Sequence, residues 1–387
     1  MCAAMNAAPL RLALAGMIAM AVAMGIGRFV YTPILPGMME ELHLSPADAG
    51  WIASANYLGY LAGALAAAGG WAHGRERLLM FGGLAASAAL AALMGLTETM
   101  TAFILIRFLA GLASAFVMVF MASIVFGHLA AANRSDLQAL HFGGVGLGIA
   151  ASSALMAVLV TEHAGWASGW LWSAAISAAG LALVALLAGG TAPSSGVADR
   201  EPALPRDRSL AKVIVAYGLF GFGYVVTATF LVAIVRQGGG GRVFEASVWM
   251  VTGLAGFPSV WLWQKIAARI GLYTAYALGC LVEVVGVTAS VAIGGTFGPL
   301  LAGVLLGGTF IAITALGLQT ARQLVPQAPR RIFALMTASF GIGQIVGPVV
   351  AGLLAQASGN FFLASIVAAG VLVVSAGITW SAAPKSP

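Results

Sequence analysis

Apolar stretches of about 20 residues, the length an α-helix needs to cross roughly 30 Å of hydrocarbon, recur from one end of this chain to the other. Twelve are read. The first six cover residues 10–35, 47–68, 78–96, 100–126, 139–160 and 168–188. The second six cover 210–235, 247–266, 272–293, 296–318, 332–355 and 361–380. A soluble fold cannot hide so much apolar surface: 61% of the 387 residues are hydrophobic and only 8% are charged, against about 25% charged in an ordinary soluble domain. The fold class expected is an all-α membrane protein with twelve transmembrane helices.

The first stretch follows Arg11 and has the outline of a signal peptide, but it is too long and lacks a small-residue cleavage site, so it is read as the first helix. Cys2 and Cys280 are too few and too far apart for a disulfide framework or a metal site. The net charge of +6 belongs to loops. Short loops rich in Lys and Arg stay in the cytoplasm, which predicts both termini inside. Fourteen of the 18 basic residues then fall in inner loops and tails, Arg236 and Arg242 alone fall outside, and Arg28 and Arg107 lie within spans. An odd number of spans would mix the two sets.

The most polar internal stretch, 191–209, carries Pro193, Pro202 and Pro205 among mixed charges and reads as a cytoplasmic linker. It divides an N-terminal six-helix bundle, 1–190, from a C-terminal one, 210–387. A shift of 198 residues places Trp51 on Trp249, Phe142 on Phe340, Gly143 on Gly341 and Gly25 on Gly223, the mark of a duplicated unit. Gly59 with Gly63, Gly303 with Gly307 and Gly343 with Gly347 are spaced to let helices approach closely. Trp51, Trp71, Trp166, Trp170, Trp249 and Trp263 fall near span ends, where such rings favour the headgroup region.

The run Gly25-Ile-Gly-Arg28-Phe-Val-Tyr31-Thr-Pro33, followed by Asn56-Tyr57-Leu-Gly59-Tyr60, resembles the YbfB/YjiJ branch of the major facilitator superfamily. The resemblance extends through Arg107-Phe-Leu-Ala-Gly111, Phe142 to Gly146, Gly221-Phe-Gly-Tyr224-Val-Val-Thr227 and Met336-Thr-Ala-Ser-Phe340-Gly. It implies two pseudo-symmetric six-helix bundles around a central cavity lined by the first, fourth, seventh and tenth helices, in a permease of the bacterial inner membrane. The sequence departs from the wider superfamily at Gly70 to Arg77, which lacks the expected Asp, and at Gly146 to Ser152, which lacks the Gly-Pro of antiporters.

Arginine within a span costs at least about 2.5 kcal/mol unless it faces protein or water, so Arg28 and Arg107 are expected to point into the bundle. At 1.5 Å per residue, Arg28 and Arg107 lie about 10 Å and Asn56 about 13 Å below the outer helix ends, in one layer. A guanidinium offers a planar fork for carboxylate, which makes both candidates to hold an anionic substrate; bracing of neighbouring helices is the competing role. Tyr31, Asn56, Tyr60, Tyr224, Thr227 and Gln344 complete the candidate substrate contacts, with interhelical packing the competing role for Gln344. Arg107, through the resembling fourth-helix motif, and Glu283, the one acid deep within a span, are candidates for proton coupling; Glu283 has a packing role as its alternative.

No phosphate-binding loop, metal-ligand cluster or nucleophile–base pair is visible, so neither an enzyme nor an ATP-driven pump is expected, and no cofactor is called for. The expected function is secondary active transport of a small organic solute, with an organic anion as the candidate class, by alternating access with protons as the coupling ion. The expected partners are that solute and the bilayer, with no nucleic acid and a monomeric state. Efflux of amphipathic drug-like compounds, or a non-transporting receptor or scaffold of the same fold, are the alternatives.

Overall fold

The computed structural model describes residues 2–69, 71–188 and 201–383. Among them there are twelve long helices and no strand. They are α1 (Ala8–Glu41), α2 (Pro46–Ala68), α3 (Glu76–Met94), α4 (Met100–Ala131), α5 (Gln138–Thr161) and α6 (Trp166–Leu187), then α7 (Arg208–Gln237), α8 (Arg242–Ile270), α9 (Leu272–Ala292), α10 (Phe297–Leu324), α11 (Pro329–Ser358) and α12 (Phe362–Ala382). Eleven are long and apolar enough to cross a membrane. The twelfth, α2, is about 35 Å long at 1.5 Å per residue, but Asp48, Asn56, Tyr57 and Tyr60 lower its hydropathy. Several helices outrun the predicted stretches. Hydropathy marks the hydrocarbon crossing, whereas the backbone hydrogen bonds continue into the headgroup zone, as α4 does to Ala131.

Local chemistry sets the helix starts. Ser45 and Asp48 form a reciprocal capping box around Pro46 at the head of α2. Thr99 caps α4 and Asp207 caps α7. Of the predicted linker, 191–200 lies outside the described residues; Glu201, beyond it, accepts hydrogen bonds from the backbone N–H groups of Arg330 and Arg331 at the start of α11. The expected close approaches are present: Gly59 and Gly63 lie against α4, Gly303 and Gly307 against α8, and Gly343 and Gly347 against α7.

The two halves meet along two seams, α2 with α11 and α5 with α8. In the first seam Gly352 lies on Pro46, Gly50 on Pro348 and Gly341 on Leu61, while the Ser54 hydroxyl donates to the Ile345 carbonyl at 2.7 Å. In the second, Gly146 faces Gly253 and Gly256, and Gly143 faces Phe257. The register shift that pairs Gly143 with Gly341 therefore links two glycines that each receive a side chain from the opposite half. The end of the bundle where α1 stops is closed by ions as well. Glu40 of α1 accepts from Arg236 of α7 and Arg242 of α8, both at 3.1 Å, and Arg236 also holds Glu245.

The tryptophans divide. Trp51 and Trp71 are half exposed, as interfacial rings should be, but Trp166, Trp170, Trp249 and Trp263 are buried. Their position near helix ends is shared; the face of the helix that carries them is what differs.

Candidate functional site

The first helix is broken at its centre. A turn of π-helix spans Ala21–Ile26, residues 27–30 leave the helix, and the chain resumes it at Tyr31. Pro33 has no N–H to return to Phe29, and Thr32 donates to the Phe29 carbonyl rather than to that of Arg28. Carbonyls left open by such a break must find other donors. Arg107 of α4 supplies them: its two terminal nitrogens donate to the carbonyls of Gly27 and Arg28, both at 3.0 Å. Asn56 of α2 in turn donates to the backbone carbonyl of Arg107 at 3.0 Å. Tyr31, three residues after Arg28 and so on the same face of an unbroken helix, instead stands beside Arg107, with its ring centre 5.1 Å from the guanidinium and its hydroxyl bonded to the Ala49 carbonyl. The break has rotated it away.

Arg28 is held differently. It is 4% exposed and lies where the halves meet. One terminal nitrogen donates to the side-chain oxygen of Gln344 on α11 at 2.8 Å, and the same Gln344 amide donates to the hydroxyl of Tyr224 on α7. Tyr57 and Tyr60, three residues apart on one face of α2, bring their rings to 4.5 and 4.3 Å from the guanidinium. The Nε of Arg28 has no hydrogen-bond partner among the described residues, and no carboxylate pairs with either arginine among the described ion pairs. Both cations are therefore met by neutral dipoles and ring faces.

Aromatic rings surround this chain of polar groups. Tyr224 stacks on Phe220, Phe310 and Phe340 with centroids 5.3 to 5.8 Å away, and Phe310 meets the edge of Phe29 across the two halves at 5.6 Å. The Thr32 hydroxyl adds a second crossing, donating to the Ala228 carbonyl at 2.6 Å. Thr227 is fully buried on α7 with its hydroxyl unpartnered among the described residues.

Glu283 lies apart from Arg28, on α9. One carboxyl oxygen is 3.0 Å from the Thr309 hydroxyl of α10 and the other has no partner among the described residues. Thr309 is also 2.6 Å from the Leu305 carbonyl. A hydroxyl has one proton to give. Thr309 donates to Glu283 when that acid is charged; when it is protonated, the acid donates to Thr309 and Thr309 turns to Leu305.

The structure thus brings Arg28, Tyr60, Tyr224 and Gln344 together, sets Arg107, Tyr31 and Asn56 in a bracing layer beside them, and gives Glu283 a hydrogen bond to Thr309 rather than to any of these. Tyr57, Phe29, Phe310 and Phe340 were not among the candidate substrate contacts named from the sequence. Only Tyr57 carried a signal, its spacing from Tyr60.

Twelve long helices in two halves, eleven of them apolar enough to cross a membrane, with a polar chain buried where the halves meet, form the frame of a membrane transporter. The chain belongs to the family described as uncharacterised MFS-type transporter YbfB, within the major facilitator superfamily, whose model matches residues 20–380. It is 25% identical over 354 residues to the uncharacterized MFS-type transporter YceJ of Bacillus subtilis (strain 168), covering 87% of each chain. Among solved structures it is similar to a point mutant of the nucleoside transporter NupG, with a TM-score of 0.79, 15% identity and coverage of 96% of this chain and 99% of that one. It is also similar to a bacterial homologue of the human lysosomal transporter Spinster in an inward-facing and occupied conformation, with a TM-score of 0.72, 14% identity and coverage of 97% and 96%. These likenesses are of fold.

Proposed function

We propose that this protein is a secondary active transporter that moves a small organic anion across the bacterial inner membrane by alternating access, coupled to protons. The observation that carries the anion is Arg28: a buried cation between the halves whose side chain has, among the described residues, a neutral amide as its hydrogen-bond partner. Burying a charge without a counter-charge is costly, and a mobile anion relieves that cost when it arrives. The orientation follows the basic loops, with both termini cytoplasmic, so the end held by Glu40, Arg236 and Arg242 is the outer one. Residues 1–190 and 210–387 act as the rocking units, 191–209 as their link, and the protein works as a monomer.

Glu283 is the proton carrier in this reading. Its pairing with Thr309 accommodates both protonation states without a change of partner, and the carboxyl sits in the half opposite the two arginines. Arg107 contributes by holding the broken backbone of α1 rather than by exchanging protons.

The test is uptake by purified protein in liposomes with an imposed pH gradient, using a panel of labelled organic acids, amines and nucleosides. An inward-directed proton gradient is expected to accelerate uptake of at least one carboxylate; Arg28→Gln abolishes that uptake, and Glu283→Gln leaves uptake that no longer responds to the gradient. Movement of neutral or cationic solutes alone overturns the anion, and full gradient response in Glu283→Gln overturns the carrier.

A further inference from the structure

The side-chain amide of Gln344 has the shape of a carboxylate: two polar atoms on one planar carbon. One of them accepts from Arg28 at 2.8 Å and the other meets the hydroxyl of Tyr224. We propose that Gln344 is a built-in placeholder for the substrate's carboxylate, and that the substrate is an aromatic monocarboxylate that displaces the amide from between Arg28 and Tyr224. The proposal rests on the reading of the protein as an anion transporter and names the anion's class.

The exchange is favourable for a carboxylate in particular. Its two oxygens accept one bond from the Arg28 guanidinium and one from the Tyr224 hydroxyl, which turns from acceptor to donor. The Arg28 bond, ionised on the donor side alone with the amide, becomes an ion pair, the Tyr224 bond gains an ionised acceptor, and the unpartnered Nε of Arg28 becomes available as the second prong of a bidentate fork. A neutral amide on the ligand offers no such gain over Gln344 itself.

One negative charge is the number the site accepts. The fork of Arg107 is already spent on the Gly27 and Arg28 carbonyls, so a second carboxylate would enter without a cation. The body of the ligand is specified by its surroundings: Phe29, Tyr57, Tyr60, Phe310 and Phe340 present rings around the Arg28–Gln344–Tyr224 chain. Ring faces and edges favour an aromatic body beyond its area alone.

Displacement has a mechanical consequence. The bond from Arg28 to Gln344 ties α1 to α11, one helix from each half. A substrate that takes the place of Gln344 exchanges that tie for one from α1 to α7 through Arg28 and Tyr224, so loading the site frees α11 while the substrate itself bridges the halves.

Thermal-shift and calorimetric titrations of the full-length protein in detergent, with benzoate, cyclohexanecarboxylate, benzamide and phthalate, test the class directly. Benzoate is expected to bind about tenfold more tightly than either cyclohexanecarboxylate or phthalate, a difference equivalent to one good interaction, and benzamide is expected not to bind. Gln344→Ala removes the competing amide and is expected to tighten benzoate binding by roughly five- to tenfold; a Gln344 that served as an ordinary ligand contact would weaken it. Gln344→Glu supplies an internal carboxylate and is expected to abolish benzoate binding, with intact folding checked by an unchanged elution volume.

Equal binding of aromatic and aliphatic acids, tighter binding of the dianion, or weakened benzoate binding in Gln344→Ala each overturns this inference and leaves the anion transporter standing. Failure of every carboxylate to bind the unmodified protein overturns both.

Discussion

Arg107 donates to the carbonyl oxygen of Arg28 at 3.0 Å, so one buried arginine fixes the backbone on which the other is mounted. Their roles separate on that bond. Arg107 spends its charge on two carbonyls of a broken helix, whereas Arg28 has a neutral side chain and two ring faces. Arg107→Lys cannot reach both carbonyls and is expected to lose about 2–4 kcal/mol of stability. Arg28→Met removes a buried charge that lacks a counter-charge, so its apparent melting temperature stays level or rises while anion uptake falls to background. Melting curves in detergent beside uptake in liposomes check the pair, and a large loss of stability in Arg28→Met would contradict it.

The α5–α8 seam depends on the absence of side chains. A Cβ on Gly146 would lie 2.5 Å from the carbonyl oxygen of Gly253 and 2.5 Å from the nitrogen of Phe257, both backbone atoms that cannot turn aside. Gly146→Val is therefore expected to push the two helices apart and to favour the arrangement in which this end is open. Spin labels at Val160 of α5 and Val243 of α8 measure the change; an unaltered distance distribution with normal transport rules it out.

Glu40 is the acid through which α1 holds both Arg236 and Arg242. The group is half exposed, so the latch is weak: exposed pairs contribute up to about 1 kcal/mol, equivalent to roughly a fivefold shift in population. Glu40→Gln is expected to raise the open fraction by that amount at low salt and by less at high salt, where surface charges are screened. Arg236 keeps Glu245 in either case. The same spin-label pair reports it.

Glu201 gives the linker a pH-dependent hold on α11. Its slight burial raises its pKa, but donation from the N–H groups of Arg330 and Arg331, with their charges, outweighs this and sets it below the ordinary value. A depressed folded pKa means the contact contributes fully above the unfolded value, about 4.3, and is lost as pH falls through the folded one. The protection of the first-turn amides of α11, taken relative to their intrinsic exchange rate at each pH, is expected to fall on acidification through that window in the wild type, and to be low and less pH-dependent in Glu201→Gln.

The fold was legible because its determinants are local. A span is an uninterrupted run such as 210–235, and reading it needs no knowledge of contacts. Where the reading fell short, the missing information was a helix face or a partner. Trp249 and Trp51 occupy equivalent places in the repeat, yet one is buried and the other half exposed. Tyr31 follows Arg28 by three residues, but the break in α1 places it against Arg107.

By itself, then, the sequence determined twelve helices, their duplication and two arginines that had to face inward, because the cost of charge and of unbonded backbone in hydrocarbon leaves no other arrangement. The tertiary structure decided which arginine is spent and which is free. That depends on Gln344, 316 residues from Arg28 and in the other half, and on carbonyls exposed by a helix break whose donors come from α4. Apolar periodicity carries no record of which buried polar groups will meet, since each is equally costly until the halves close and give it a partner.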